Sequence, residues 1–110
     1  MGSLVQRAWA AQLKSAGIQG ALAAMDKSCS HECLYASYYL DLPFAGAVDE
    51  SEVQGQDAGR VEQALERVGV QTLLVPADDK WKWFRNNTTW KQKLTLKDTT
   101  HTFLVYVSLD

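Results

Sequence analysis

Both cysteines of this chain and one of its two histidines fall within the stretch SCSHECLYASYYL, residues 28–40. A cysteine attacks as a thiolate, and a helix N-terminus beside an imidazolium favours that form. If residues 33–41 are helical, Cys33 stands at the helix opening, Ser30 is its N-cap, and the free backbone N–H groups around Ser30, His31 and Glu32 offer an oxyanion site. If the segment is a strand, Leu34, Ala36, Tyr38, Leu40 and Leu42 alternate along it, and Cys33 is a core residue. A free cysteine is one of the most commonly buried residue types and needs no role. Both readings stand on the sequence.

Two other chemistries use the same residues. Cys29, His31, Cys33 and His101 are zinc-ligand types, but Cys-x-His-x-Cys is not a spacing that structural zinc sites favour, and such closely spaced ligands crowd a tetrahedron. A disulfide between Cys29 and Cys33 needs an oxidising compartment that nothing else in the chain suggests. The expectation is no metal and no cofactor. For a thiol mechanism the base is His101 rather than His31, because a residue two positions away on a helix faces away from Cys33. Asp98, Asn87, Asn86 and Asp110 are the candidates for a group that orients His101. Taken alone, His101 also reads as an ordinary strand-end histidine.

The segments HECLYASYYL and THTFLVYVSL together resemble the papain-like cysteine peptidases in the broad sense, including the ovarian-tumour type and compact viral relatives. In these a Cys opens a helix and is followed by aromatic or aliphatic residues, as in Cys33-Leu34-Tyr35, and a His opens a core strand. The resemblance spans roughly residues 28–109. It implies thiol hydrolysis of a peptide, isopeptide or side-chain amide bond, with Cys33 as nucleophile and His101 as general base. Where the ovarian-tumour pattern has Asp three residues before the Cys, this chain has Ser30.

The elements that must position these residues are legible as periodicities. Ser3 caps a first helix in which Leu4, Ala8, Leu13 and Ala16 recur at helical spacing before Gly17 stops it, and residues 21–25 suggest a second short helix. Pro43 ends the cysteine segment. Residues 44–56, acidic and rich in Gly, Ala and Ser, read as an exposed loop. Asp57 then caps a helix with Val61, Leu65 and Val68 on one stripe and Gly69 at its end. VQTLLVP and KWKWF read as strands, and residues 89–97 and 101–109 as a hairpin. A two-residue turn at Asp98 and Thr99 would pair Leu96 with His101 and Leu94 with Phe103. No internal repeat or dividing linker is evident. The expected fold is a single α+β domain over residues 1–110: helices from about residue 3 to 69, packed on one face of an antiparallel sheet of three or four strands.

At 110 residues and 46% hydrophobic content the chain is long enough for one real core. Its formal charge of −2 argues against a nucleic-acid or anionic-membrane partner. No apolar window is long enough for a membrane span, and the start lacks the pattern of a signal peptide, so an intracellular, cytoplasmic setting is expected. Charge is nevertheless uneven. Lys80, Lys82, Arg85, Lys91, Lys93 and Lys97 follow one another without an acid, whereas residues 41–66 are almost purely acidic. That asymmetry supports a second function class, a non-catalytic protein-binding domain of the immunity, inhibitor or viral accessory kind, engaging its partner through Lys91 and Lys93 or Glu50 and Glu52. A third is single-strand nucleic-acid binding, with Trp81 and Trp83 on one strand face and lysines on the other. The expected partner is thus a protein, as substrate or ligand; the oligomeric state is open.

Overall fold

A computed structural model describes residues 4–97 and 101–108. The fold is α+β, and its sheet is mixed and five-stranded, in the order β2-β1-β3-β5-β4. Helix α1 covers Leu4–Ser15, and strand β1 (Ala21–Ala24) stands where a second short helix was expected. A 3-10 turn at Lys27–Cys29 leads into helix α2 (Ser30–Leu40), then strand β2 (Phe44–Ala47), short helix α3 (Glu50–Val53) and helix α4 (Ala58–Arg67). Strand β3 (Val70–Pro76) precedes a second 3-10 turn (Asp79–Trp81), helix α5 (Lys82–Asn87) and the hairpin of β4 (Lys91–Lys97) and β5 (Thr102–Val107).

The reason the sheet is larger than expected, and not purely antiparallel, lies in β1 and β2. Strand β1 pairs in parallel with both β2 and β3, while β5 runs antiparallel to β3 and β4. Three of its four residues, ALAA, are buried and Ala21 is partly so, and with both faces covered they show none of the polar alternation that marks a one-sided strand. Strand β2 hides for the opposite reason: FAGA is short and only partly covered at the sheet edge.

Helices cover both faces rather than one. On the first, α1 and α2 pack Trp9, Leu13, Cys33 and Ala36 against Leu22, Leu74, Phe103 and Val105. On the second, Val61 and Leu65 of α4 and Phe84 of α5 pack with Ala23, Leu73, Val75 and Tyr106. Successive strand residues therefore serve opposite cores, as the pleat requires. In α4 the stripe ends at Leu65; Val68 lies beyond the helix and is 66% exposed.

The segment KWKWF is helical, not a strand. Asp78 accepts a hydrogen bond from the Lys80 backbone at 3.1 Å and starts the 3-10 turn that continues as α5. This buries Trp81 and Phe84 and leaves no strand on which Trp81 and Trp83 could share a stacking face with lysines opposite.

In the hairpin the facing pairs are Leu96 with Phe103 and Leu94 with Val105, with an irregularity between Gln92 and Leu94. The connection is two residues longer than expected. A shift of two preserves which side chains face the core, so Leu96, Phe103 and Val105 are buried together, but it removes His101 from the ladder. Residues 98–100, including Asp98, and residue Asp110 lie outside the described residues.

Candidate functional site

Cys33 and His101 both belong to the end of the sheet where β1 and β3 finish. Helix α2 does open at Ser30, which places Cys33 in its first turn. The cap differs from expectation: Cys29 is the N-cap and has no side-chain cap bond, while Ser30 Oγ donates to the Lys27 carbonyl at 3.0 Å. The true start is Asp26, whose side chain caps the 3-10 turn that runs into α2.

Position in the helix does not make Cys33 a nucleophile here. It is 0% exposed, and burial pushes its thiol far up, with the Cys29 and Glu32 charges adding in the same direction. Cys29 is equally buried, and burial holds its thiol up at about 11. Both are free thiols. Glu32 Oε2 is buried without a hydrogen-bond partner, so the expected oxyanion region also holds a carboxylate, and the Ser30 backbone N–H already donates to the Lys27 carbonyl. His101 is exposed, just before β5, with its ring stacked on Phe103 at 5.9 Å between centroids. Asn87 donates from Nδ2 to the Trp83 carbonyl at 2.6 Å, a local contact within α5. His31 turns its ring to Tyr35, 5.0 Å away. Among the described residues no cluster of His, Cys, Asp or Glu is arranged to hold a metal.

The two charged surfaces lie apart. Lys91 and Lys93 are exposed on β4 at one edge of the sheet, whereas Glu50 and Glu52 follow β2 at the other. Glu52 accepts from Arg60 Nε at 3.1 Å. Glu50 lines a cleft.

That cleft lies at the C-terminal ends of the parallel strands and has a volume of about 610 Å³. Each parallel strand ends two residues before an aspartate: Asp26 after β1, Asp49 after β2, Asp78 after β3. Each aspartate accepts, on Oδ1, the backbone N–H two residues further on, at 2.9 Å from Ser28, 2.9 Å from Ser51 and 3.1 Å from Lys80. The same device thus turns the chain out of the sheet three times. The repeat is visible in the sequence as apolar-Asp-charged triplets, Met25-Asp26-Lys27, Val48-Asp49-Glu50 and Ala77-Asp78-Asp79, and sequence reading passed over it because the triplets are short and unevenly spaced.

Strand β1 lies between β2 and β3, and the chain leaves β1 toward one face of the sheet and β3 toward the other. Such a divergence opens a crevice beyond the strand ends, the usual ligand position in open α/β sheets. Met25, Val48, Val53 and Trp81 supply its apolar lining. Asp49 and Glu50 stand on the β2 side, and Lys27 and Lys80 reach it from the two 3-10 turns. Asp49 is held below the usual carboxylate range by hydrogen bonds from Ser51, so its charge is secure.

Asp26 closes the crevice between β1 and β3. Oδ1 accepts from the Ser28 backbone and also from the Ser28 hydroxyl, while Oδ2 accepts from Trp81 Nε1 at 2.6 Å with Lys80 Nζ 4.0 Å away. Both oxygens are committed to structure. The lining of the cleft contains neither His nor Cys.

Compared with known proteins, the chain matches no family model, no curated protein and no solved structure.

Proposed function

We propose that this chain is a non-catalytic protein-binding domain, and that the cleft at the ends of β1, β2 and β3 receives a short segment of its partner. The observation that carries this reading is the composition of the cleft. It joins an apolar floor to carboxylates on one side and ammonium groups on the other, with the half-buried Asp26 already bonded to Ser28 and Trp81. Such a surface suits a segment with an apolar residue between a basic and an acidic one, since the floor supplies burial and the rim sets direction. Cys33 and His101, the pair on which a thiol hydrolase would depend, are absent from this lining.

The test is an NMR titration of the full chain with short peptides of that charge order and of its reverse. The Trp81 indole N–H should shift with the first set and move less with the second. Val53→Arg, in a chain that circular dichroism shows to be folded, should abolish the shift. Shifts that map to another face, or that survive Val53→Arg, would sink the proposal.

A second reading keeps the thiol hydrolase, with Cys33 as nucleophile and His101 as base. What favours it is the position of Cys33 in the first turn of an 11-residue helix, at the same end of the sheet as His101. It requires a local opening that exposes Cys33 and lowers its pKa on partner binding. Reaction of Cys33 with a thiol probe at neutral pH, much faster than that of Cys29 and lost in His101→Ala, is the outcome it demands.

A further inference from the structure

At the end of the sheet away from the cleft, where the parallel strands begin, the core beneath α1 and α2 gives way to polar residues. The turn between α1 and β1, the start of β3 and the end of β5 border a pocket there of about 250 Å³. Ile18 and Val107, which belong to that core, form its apolar wall. Its polar groups come from Gln19, Gln71, Thr72, Lys93 and Ser108, and none of the described residues that line it is acidic.

Two of these residues are held at the pocket in an unusual way. Thr72 is 1% exposed, one of three buried polar or charged side chains among the described residues. The other two are satisfied internally: Ser37 donates to the Cys33 carbonyl, and Glu62 accepts from Thr88 and Thr89. The Thr72 hydroxyl makes no hydrogen bond among the described residues, although buried hydroxyls ordinarily find a partner. Thr72 faces Val107 across the ladder and lies on the same side of β3 as Leu74, so it belongs to the pocket side of the sheet. Lys93 arrives there by a bulge. Strand β4 pairs Gln92 with Tyr106 and Leu94 with Val105, which leaves Lys93 as an extra residue opposite none of β5. Regular pleating would turn Lys93 away from the face that Leu94 occupies, whereas the bulge brings it round beside Val107 and Thr72. Among the described residues Lys93 makes no ion pair.

We propose that this pocket binds a small hydroxycarboxylate, with the Lys93 ammonium on the carboxylate and the Thr72 hydroxyl bonded to the hydroxyl of the ligand. One cation without a neighbouring acid in the lining suits a single negative charge. The volume lies below the range of about 300–1,000 Å³ that receives drug-sized ligands, so the carbon skeleton is short, and Ile18 and Val107 supply its contact. The side-chain amides of Gln19 and Gln71 can each donate or accept, which suits a ligand that carries both kinds of group. Nothing in this assignment depends on what the cleft binds.

NMR titration of the full chain with sodium lactate at constant ionic strength tests it. The amides of Gln71, Thr72, Lys93 and Ser108 should shift together and saturate with a Kd of about 1–10 mM, while the Trp81 indole N–H stays in place. Propionate, which lacks the hydroxyl, should bind severalfold more weakly, and lactamide, which lacks the charge, should not bind. Inorganic phosphate should bind more weakly than lactate. Lys93→Met should abolish lactate binding. Thr72→Val should lower the affinity for lactate to that for propionate and leave the affinity for propionate unchanged, a pattern that misfolding does not produce, and circular dichroism establishes that both variants are folded. The absence of a saturable shift below about 100 mM lactate overturns the proposal, as do shifts that map elsewhere, binding of lactamide equal to that of lactate, or indifference to Lys93→Met. Tighter binding of phosphate than of lactate overturns the carboxylate, and equal loss of lactate and propionate in Thr72→Val overturns the bond to the ligand hydroxyl.

Discussion

Trp81 Nε1 donates to Asp26 Oδ2 at 2.6 Å, tying the turn after β1 to the turn after β3 across the mouth of the crevice between them. The two residues are 55 positions apart, and the same carboxylate caps the 3-10 turn before α2 through the Ser28 backbone. One side chain therefore fixes both the entry to α2 and the seat of Trp81.

Asp26 should be among the most sensitive polar positions in the domain. Asp26→Asn keeps an oxygen for the cap but turns an N–H2 toward the indole N–H, leaving two donors face to face. The expected loss is about 1–2 kcal/mol. Asp26→Ala removes the cap as well, for a loss of about 2–3 kcal/mol. Urea denaturation of both variants and of Trp81→Phe, combined as a double-mutant cycle, measures the coupling between the two residues.

Glu62, on α4, does comparable work. It is 8% exposed and accepts from the Thr88 hydroxyl, the Thr89 backbone at 2.7 Å and the Thr89 hydroxyl at 2.8 Å. These bonds anchor the connection from α5 to β4 onto α4. Glu62→Leu strands three donors and should cost about 2–4 kcal/mol, whereas Glu62→Gln keeps one acceptor and should cost about half as much. Thermal denaturation ranks them, and hydrogen exchange should show faster opening at Thr89 and Trp90 first.

Gly20 enters β1 with φ of +80°, a conformation disfavoured for residues with a side chain. A Cβ there would also come within 2.3 Å of Gln71 Oε1, but that atom is the end of a flexible, exposed side chain and can move away. The backbone conformation thus sets the cost. Gly20→Ala should destabilise by about 1 kcal/mol, and adding Gln71→Ala should recover little of it.

How much of this could be read from the chain depended on whether a segment had one wet face. Helix α4 was legible because Asp57, Val61, Leu65 and Gly69 carry cap, stripe and stop in order, and β3 because the mostly apolar run Val70–Pro76, opened by Gly69 and closed by Pro76, suits a buried strand. Strand β1 was misread because ALAA, buried on both sides, has no polar phase to distinguish it from helix. KWKWF was misread because alternating Trp and Lys imitates a strand, while the Asp78 cap that makes it helical lies just outside the pattern. The cleft was the hardest feature to foresee: its walls come from Met25, Val48 and Trp81, distant in sequence and adjacent only because β1 is flanked by β2 and β3.

The thiols give a prediction with a definite sign in pH. Burial raises the Cys29 pKa to about 11 in the folded chain, against about 8.5 for an unfolded cysteine. The folded state therefore keeps a proton that the unfolded state gives up. Stability from this source is complete below about pH 8.5 and is lost as pH rises toward 11, because deprotonation then favours the unfolded chain. Cys33, shifted in the same direction by its burial, adds to the loss. Between pH 8 and pH 10.5 the protein should lose about 1–2 kcal/mol more than Cys29→Ala does, measured by urea denaturation at each pH. At neutral pH both thiols should react with a small electrophile only as fast as the protein opens, and denaturant should raise both rates together. Those rates also separate the two readings of the chain. Slow, similar labelling of Cys29 and Cys33 fits a binding domain with two core cysteines, and a fast Cys33 that slows in His101→Ala fits the hydrolase.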